Sequence, residues 1–345
     1  MIKVSAPNIT EDDIKEAMRP CLRGDIDPGP IAEEFAHALA EFWGVPRRWV
    51  LLTNSCTTAI GVYTNMFNEK WVAPALTWPG TYCMTRGIKL VDVDEDTWCL
   101  PCPNYPETEN AIFVNLYGRV DRETIIVKGK LIVDSAHCLQ PARMYQKLDS
   151  GIVDAFAFSF GPSKEITTMR GGALVCKNAA DLEPMIRFAT WCRLPMHVWG
   201  MNGTITEVGA AMGLNQLDRY KHDHEVRREV LLDYAHVVGD YSHVFLYTHA
   251  KTHSGHLAVL VFDQAHQRRE CQEYLKIAGI QTSIHYPVFS GHVGDTPVAL
   301  DASTRTLSIP CHTKLTQHDV DIICAALDRG LVASRHQTVG ESGKE

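Results

Sequence analysis

No apolar run in the 345-residue sequence approaches the roughly 20 residues needed to cross a bilayer. The N-terminus, Met1-Ile2-Lys3-Val4-Ser5, has none of the apolar core of a secretory signal. A cytoplasmic protein is the expectation. Excess positive charge is missing too. The net charge is −8, which argues against general affinity for nucleic acid or anionic membrane. There is no internal repeat and no low-complexity segment. Paired cysteine clusters are also absent. Of 11 cysteines, only Cys99 and Cys102 form a C-x-x-C, and one such pair does not make a zinc site. Reduced thiols serving as small apolar side chains are expected. The histidines give no metal signal: His222 and His224 do not share a helix face, and His249, His253 and His256 fall in a polar turn. No metal is expected.

What is present is the composition of an ordinary globular protein, 45% hydrophobic and 21% charged, long enough for two domains. Thr10 followed by Glu11-Asp12-Asp13 reads as a helix start. Pro30 starts another, with Ile31, Phe35, Leu39 and Phe42 on one face and Gly44 at its end. Short apolar runs then alternate with segments long enough for crossover helices. The strand candidates are Trp49–Leu52, Trp71–Leu76, Lys89–Val93, Ala111–Tyr117, Lys130–Val133, Ala155–Phe160 and Gly172–Cys176. Several are apolar nearly throughout, as in strands covered on both faces. This is an α/β pattern.

After Thr206 the pattern changes. One or two long charged helices run to Val238. Strands at His256–Phe262, Gln281–Tyr286 and Thr306–Ile309 follow, with helices ending near Leu275 and starting at Thr316. The expected organisation is a large domain over residues 1–220, with its first helix free to pack on the other domain. A smaller α+β domain covers 221–335, and a disordered tail covers 336–345.

Four local features carry chemistry. Asn54-Ser55-Cys56-Thr57 closes a strand and opens a helix, whose free N–H groups suit a phosphate as readily as an ordinary cap. Thr77-Trp78-Pro79-Gly80 offers an aromatic ring that can stack on a flat cofactor or fill a core. Asp134 stands at the carboxyl end of the strand Leu131-Ile132-Val133, where α/β folds place ligands, in Asp134-Ser135-Ala136-His137. A carboxylate there can hold a pyridinium nitrogen protonated, or cap the next segment. Lys164 follows the apolar run Ala155–Phe160 in Gly161-Pro162-Ser163-Lys164, a loop with few charges. A lysine in an apolar pocket has a lowered pKa and can form a Schiff base.

In this order and spacing the motifs resemble the DegT/StrS sugar-aminotransferase family of fold-type-I enzymes that use pyridoxal 5′-phosphate (PLP). The match runs from Gly29-Pro30 to about Leu315-Thr316. It includes Ser159-Phe160 with Lys164, Asp134 with Ala136-His137, Ser55-Cys56-Thr57, Thr77-Trp78 and Leu116-Tyr117-Gly118. It continues through Gly200-Met201-Asn202, Glu207, Gln216-Leu217, His285-Tyr286-Pro287 and Leu307-Ser308-Ile309-Pro310. The resemblance implies an aspartate-aminotransferase-like fold with a large mixed sheet, a smaller C-terminal domain and a homodimer.

It further implies that Lys164 carries PLP as a Schiff base and later moves the proton, and that Asp134 pairs with the pyridinium nitrogen. Trp78 would stack on the ring, with His137 near the ring oxygen. Phosphate would be held by the turn Ser55-Cys56-Thr57 and by Ser159, and Asn202 would reach the neighbouring subunit's phosphate. The expected activity is transfer of an amino group from an amino acid, glutamate by family analogy, to a carbonyl of a sugar or sugar-like acceptor. Departures from the family pattern fall on the substrate side: Met169-Arg170-Gly171-Gly172 after the lysine and Gly203-Thr204 after Asn202. Two other readings stand beside this one, the first of them motivated by these departures. One is a PLP-dependent decarboxylase or lyase acting on an amino-acid-like or modified-nucleotide substrate. The other is a non-catalytic relative that binds PLP.

Overall fold

A computed structural model describes residues 1–67, 70–101, 110–119, 127–177, 179–190, 200–288 and 295–335. The tail 336–345 and Cys102 lie outside the described residues. The chain opens with helix α1 (Glu11–Arg23), where Thr10 and Asp13 cap each other's backbone, and α2 (Pro30–Trp43). Glycine holds the N-cap of α2 and brings no side chain to it. That role falls to Glu207, buried far along the chain. Its carboxylate accepts the N–H groups of Gly29, Ile31 and Ala32 at 2.7, 3.0 and 2.7 Å. A carboxylate at this end also meets the positive pole of the helix dipole.

Among the described residues the large sheet has seven strands. They are β1 (Val50–Thr53), β2 (Trp71–Pro74), β3 (Ile88–Val91), β4 (Asn110–Val114), β5 (Leu131–Asp134), β6 (Ala155–Ser159) and β7 (Gly172–Cys176). Their order is β1-β7-β6-β5-β4-β2-β3. All run parallel except β7, which is antiparallel to both of its neighbours. Helices α3 (Cys56–Thr64), α4 (Met144–Ser150) and α5 (Ala179–Ala189) lie between strands.

Alternation along β6 sorts side chains by size. Ala155 and Ala157 face the core that holds Ile60, Val62 and Tyr63 of α3, and their small size lets that helix approach. Phe156 and Phe158 fill the opposite core with Phe35, Leu39 and Trp43 of α2. There Trp43 stacks on Phe158 at 4.3 Å, and its indole N–H donates to the Leu139 carbonyl at 2.8 Å.

One 32-residue helix, α6 (Glu207–Val238), joins two cores. Ala210 and Tyr220 pack in the α2 core, whereas Val230, Leu231, Tyr234 and Val238 pack in a second. The second core lies against a three-stranded antiparallel sheet of β8 (Val244–Leu246), β9 (Ala258–Phe262) and β10 (Thr306–Ile309), in the order β10-β9-β8. Helices α7 (Ala265–Ile277), α8 (Pro297–Arg305) and α9 (Gln317–Ser334) accompany it. Among the described residues no helix is long and apolar enough to cross a membrane.

Several expectations need correction. Gln281–Tyr286 is not a strand. Ser283 makes one isolated bridge to Ser308, after which the His285 carbonyl accepts from the Tyr117 hydroxyl, so the backbone is spent outside the sheet. The β4 run stops at Val114 rather than Tyr117, because Tyr117 and Gly118 take positive φ values of 56° and 87° in a turn. Strand β8 was not foreseen, since three residues carry too little alternation to read. His253 and His256 are buried rather than set in a polar turn.

Candidate active site

The parallel strands end at one edge of the large sheet, and the candidate residues stand there. β1 leads into Asn54-Ser55, β2 into Thr77-Trp78, and Asp134 and Ser159 are the last residues of β5 and β6. Carboxyl ends of strands form the ligand edge of open α/β sheets. Ser55, Cys56, Thr57, Trp78, Asp134, His137, Ser159 and Lys164 all line a single cavity of about 550 Å³, closed on its far side by Ser283–Pro287. Asn202 does not line it; that residue is exposed, and its carbonyl accepts from the Asn54 side chain at 2.9 Å.

The phosphate-type turn is built by close approach. Ser55 caps α3, its hydroxyl accepting the Thr58 N–H at 3.0 Å. This leaves the backbone of Cys56 and Thr57 as the helix's open N-terminus. Gly172 of β7 lies beneath. A Cβ there would sit 2.5–2.6 Å from the backbone of Ser55 and Cys56. Gly80 does the same for Trp78 and the Thr57 hydroxyl, leaving the Trp78 ring 59% exposed beside Tyr286, 5.8 Å away.

Asp134 is buried and held on both oxygens. Oδ1 accepts the Ala136 N–H at 2.9 Å and faces the Cys56 thiol at 3.5 Å, while Oδ2 accepts the Thr81 hydroxyl at 2.7 Å. Burial, and then the Asp134 charge, push the Cys56 thiol well up, so it is a neutral donor. Lys164 reaches the same cavity from the loop after β6. Burial lowers its amine to about 8, against the opposing pull of Asp134, Cys56 and Glu165.

Three imidazoles surround that amine. His137 Nε2 pairs with the Tyr286 hydroxyl at 2.7 Å, and the two rings stack. His285 Nδ1 pairs with the Ser308 hydroxyl at 2.8 Å. His256 Nε2 lies 3.4 Å from Lys164 Nζ. Burial first, and the Lys164 charge second, hold all three neutral, with His285 at about 4 and the others also below their usual range. Thr81, His256 and Tyr286 escaped the sequence reading as site residues. One signal for His256 was available: it immediately precedes the apolar run Leu257–Phe262, so it enters a buried strand from the ligand side.

A sequence profile of the DegT/DnrJ/EryC1/StrS aminotransferase family matches residues 7–328. The chain belongs to this family. Its members named nearby in sequence include a UDP-4-amino-4,6-dideoxy-N-acetyl-beta-L-altrosamine transaminase of Campylobacter jejuni, 28% identical over 94% of this chain and 96% of that one. Among solved structures, the aminotransferase TlmJ of Streptoalloteichus hindustanus superposes with a TM-score of 0.85 at 21% identity, over 96% of this chain and 99% of that one. Spr1654 of Streptococcus pneumoniae, in its PMP form, gives 0.83 at 22% identity over 97% of this chain and 100% of that one. The family fold is the expected fold-type-I architecture, and the chain is an enzyme of the aminotransferase class.

Proposed function

We propose that the chain is a cytoplasmic homodimeric aminotransferase that holds PLP at Lys164 and moves an amino group from glutamate to a carbonyl of a sugar. The observation that carries this is the convergence of a buried Lys164 and a buried Asp134 on one cavity at the ligand edge of the sheet. Family membership and the sugar-directed names of the relatives support the acceptor class. The cavity volume of about 550 Å³ suits a cofactor with part of a substrate. The residues also fit the group chemically. A helix N-terminus faces the cavity for the phosphate, a carboxylate for a pyridinium, an exposed indole for a ring and an amine for an aldehyde.

PLP, when bound, supplies the electron sink for the bond broken at the donor's α-carbon. The protein's part is placement and proton movement. Asp134, fixed by Thr81, Cys56 and the Ala136 N–H, would present its carboxylate to the ring nitrogen. Lys164 Nζ, at the cavity wall, would be the group that accepts and returns the proton moved in the transfer. An amine lowered to about 8 by burial is suited to both steps near neutral pH. Ser159 and the Cys56 and Thr57 N–H groups would hold the phosphate. The exposed Trp78 ring would stack over the cofactor, and His137, braced by Tyr286, would flank it.

A second copy of the chain belongs to this reading. Among the described residues that line the cavity, Lys164 is the only lysine or arginine, so a donor's carboxylates need cations from elsewhere. Exposed Asn202 is the residue offered in return to the neighbour's phosphate.

An absorbance spectrum of the purified protein, with and without glutamate and with Lys164→Ala alongside, tests the reading. A long-wavelength band of lysine-bound PLP, bleached by glutamate and missing from the variant, is expected. A band that glutamate leaves untouched while carbon dioxide is released would overturn transamination. No band after added PLP would overturn the cofactor assignment.

A further inference from the structure

His256 has one polar side-chain contact among the described residues, the 3.4 Å approach of its Nε2 to Lys164 Nζ. Its Nδ1 is buried and has no hydrogen-bond partner. Burying an imidazole in this way is costly unless the remaining nitrogen is used. The ring is also built into place. The Ser254 hydroxyl accepts the His256 N–H at 3.2 Å and donates to the His137 carbonyl at 2.6 Å, tying the two histidine backbones together. Their rings sit 4.8 Å apart. Gly118 leaves the space this needs, since a Cβ there would collide with the Ser254 hydroxyl and lie 2.6 Å from the His137 carbonyl.

We propose that His256 is a positioning residue for Lys164, its Nε2 holding Nζ at the cavity wall in both protonation states of the amine. The proposal rests on the reading of Lys164 as the PLP lysine. A neutral imidazole accepts from an ammonium at Nε2 when its proton is on Nδ1. It donates to a free amine from Nε2 in the other tautomer. No aliphatic side chain does either. The consequence lies in the joining of Lys164 to an aldehyde. Nζ attacks the carbonyl carbon and gives up its two hydrogens, and the aldehyde oxygen leaves as water. Only the neutral, correctly placed amine begins this step.

The groups facing Lys164 and His256 come from every element around them: Cys56 of α3, Asp134 of β5, His137 after it, Glu165 in the lysine loop, Arg227 of α6 and His285. Asp134 is the strongest of those favouring the charged amine. Burial, the largest influence, opposes it, and an apolar side chain in place of His256 adds to that burial, so loss of the imidazole does not favour the charged form.

The test is trace acetylation of Lys164 in the PLP-free full-length protein between pH 6 and 10, read by mass spectrometry of the Lys164 peptide. Wild type should show a midpoint near 8. In His256→Leu the midpoint should stay at or below the wild-type value, while acetylation at high pH, where the amine is neutral in both proteins, falls roughly tenfold because Nζ is no longer held at the cavity wall. In His256→Gln, whose amide nitrogen and oxygen reach the Nε2 position, reactivity should return to within about threefold of wild type. His256→Asn, whose amide reaches only the Nδ1 position, should behave like His256→Leu and decides the matter if the leucine variant does not fold. Equal profiles for Leu, Asn and wild type, or equal losses in Gln and Leu, would overturn the proposal. PLP added to the same samples separates the two ideas. A missing PLP band in wild type with the acetylation pattern intact defeats the cofactor assignment alone. A normal band with a wild-type profile in His256→Leu defeats the positioning role alone.

Discussion

Thr81 Oγ1 donates to Asp134 Oδ2 at 2.7 Å, and because its single proton is spent there, the Thr77 hydroxyl 2.9 Å away must donate to Thr81. A short relay of hydroxyls therefore ends on the buried carboxylate that lines the cavity. The turn Pro79–Thr81 after β2 and the end of β5 are fixed to each other by this contact. Thr81→Val keeps the shape and removes the donor. It should lower stability by about 1–3 kcal/mol in urea unfolding, with Thr81→Ser close to wild type. A valine variant as stable as wild type would show that the contact does not hold the carboxylate.

Glu165 makes stability pH-dependent. It is buried beside Lys164, accepts the Leu139 N–H at 2.8 Å and the Tyr220 hydroxyl at 3.1 Å, and burial raises it from 4.5 to about 7. Between those values the folded protein keeps a proton that the unfolded chain has released. Stability therefore falls as pH rises through this window, and the cost is fully present above about 7. Glu165→Gln lacks that dependence. Relative to wild type it should gain on the order of 1–3 kcal/mol between mildly acidic and mildly alkaline conditions, measured by urea unfolding at both. A parallel pH response of the two proteins would refute the assignment.

Gly172 is required by space, not by φ. An added Cβ would lie 2.5 Å from the Ser55 carbonyl carbon, 2.6 Å from the Cys56 nitrogen and 2.7 Å from the Phe158 oxygen, all backbone atoms that cannot swing aside. Gly172→Ala should push the start of α3 off the sheet. The expected loss is about 1–3 kcal/mol or more, with weaker PLP retention on dialysis. Thermal unfolding of the PLP-free protein and PLP titration should both register the change. If only one does, the helix start and the sheet are not packed as described.

Glu207 caps a helix to which it is not joined in sequence. With three N–H donors on one buried carboxylate, Glu207→Ala leaves all three short of partners at the start of α2. A loss of about 2–4 kcal/mol is expected from charged hydrogen bonds of this kind. Glu207→Gln, which can accept only through one oxygen, should fall between. Chemical denaturation of the three proteins orders them.

The sequence was informative wherever the signal is local. Lys164 and Asp134 were legible because each follows an apolar strand, and a strand's end is one edge of a sheet whatever the rest of the chain does. Capping at Thr10, the face of Ile31, Phe35 and Leu39, and the open turn after Ser55 depend on residues three or four apart, and they stand in the structure as read. The segment Gln281–Tyr286 misled for the same reason. Its alternation suits a strand, but Ser308, Tyr117 and His137 claim its polar groups instead.

Family order in the sequence could attach functions to motifs, but not show what holds each side chain in place. That Glu207 caps α2, that Thr81 braces Asp134, and that Ser254 reaches the His137 carbonyl are contacts between residues 53 to 178 positions apart. Hydrogen bonding is a matter of distances of about 3 Å, and no local pattern in a chain encodes which distant groups will meet at that range. The sequence by itself determined most strands of the large sheet, the polar residues at their ends and the residue types available for chemistry. Only the tertiary structure decided that a histidine in a polar-looking stretch would be buried against the lysine, because burial is a property of the packed whole.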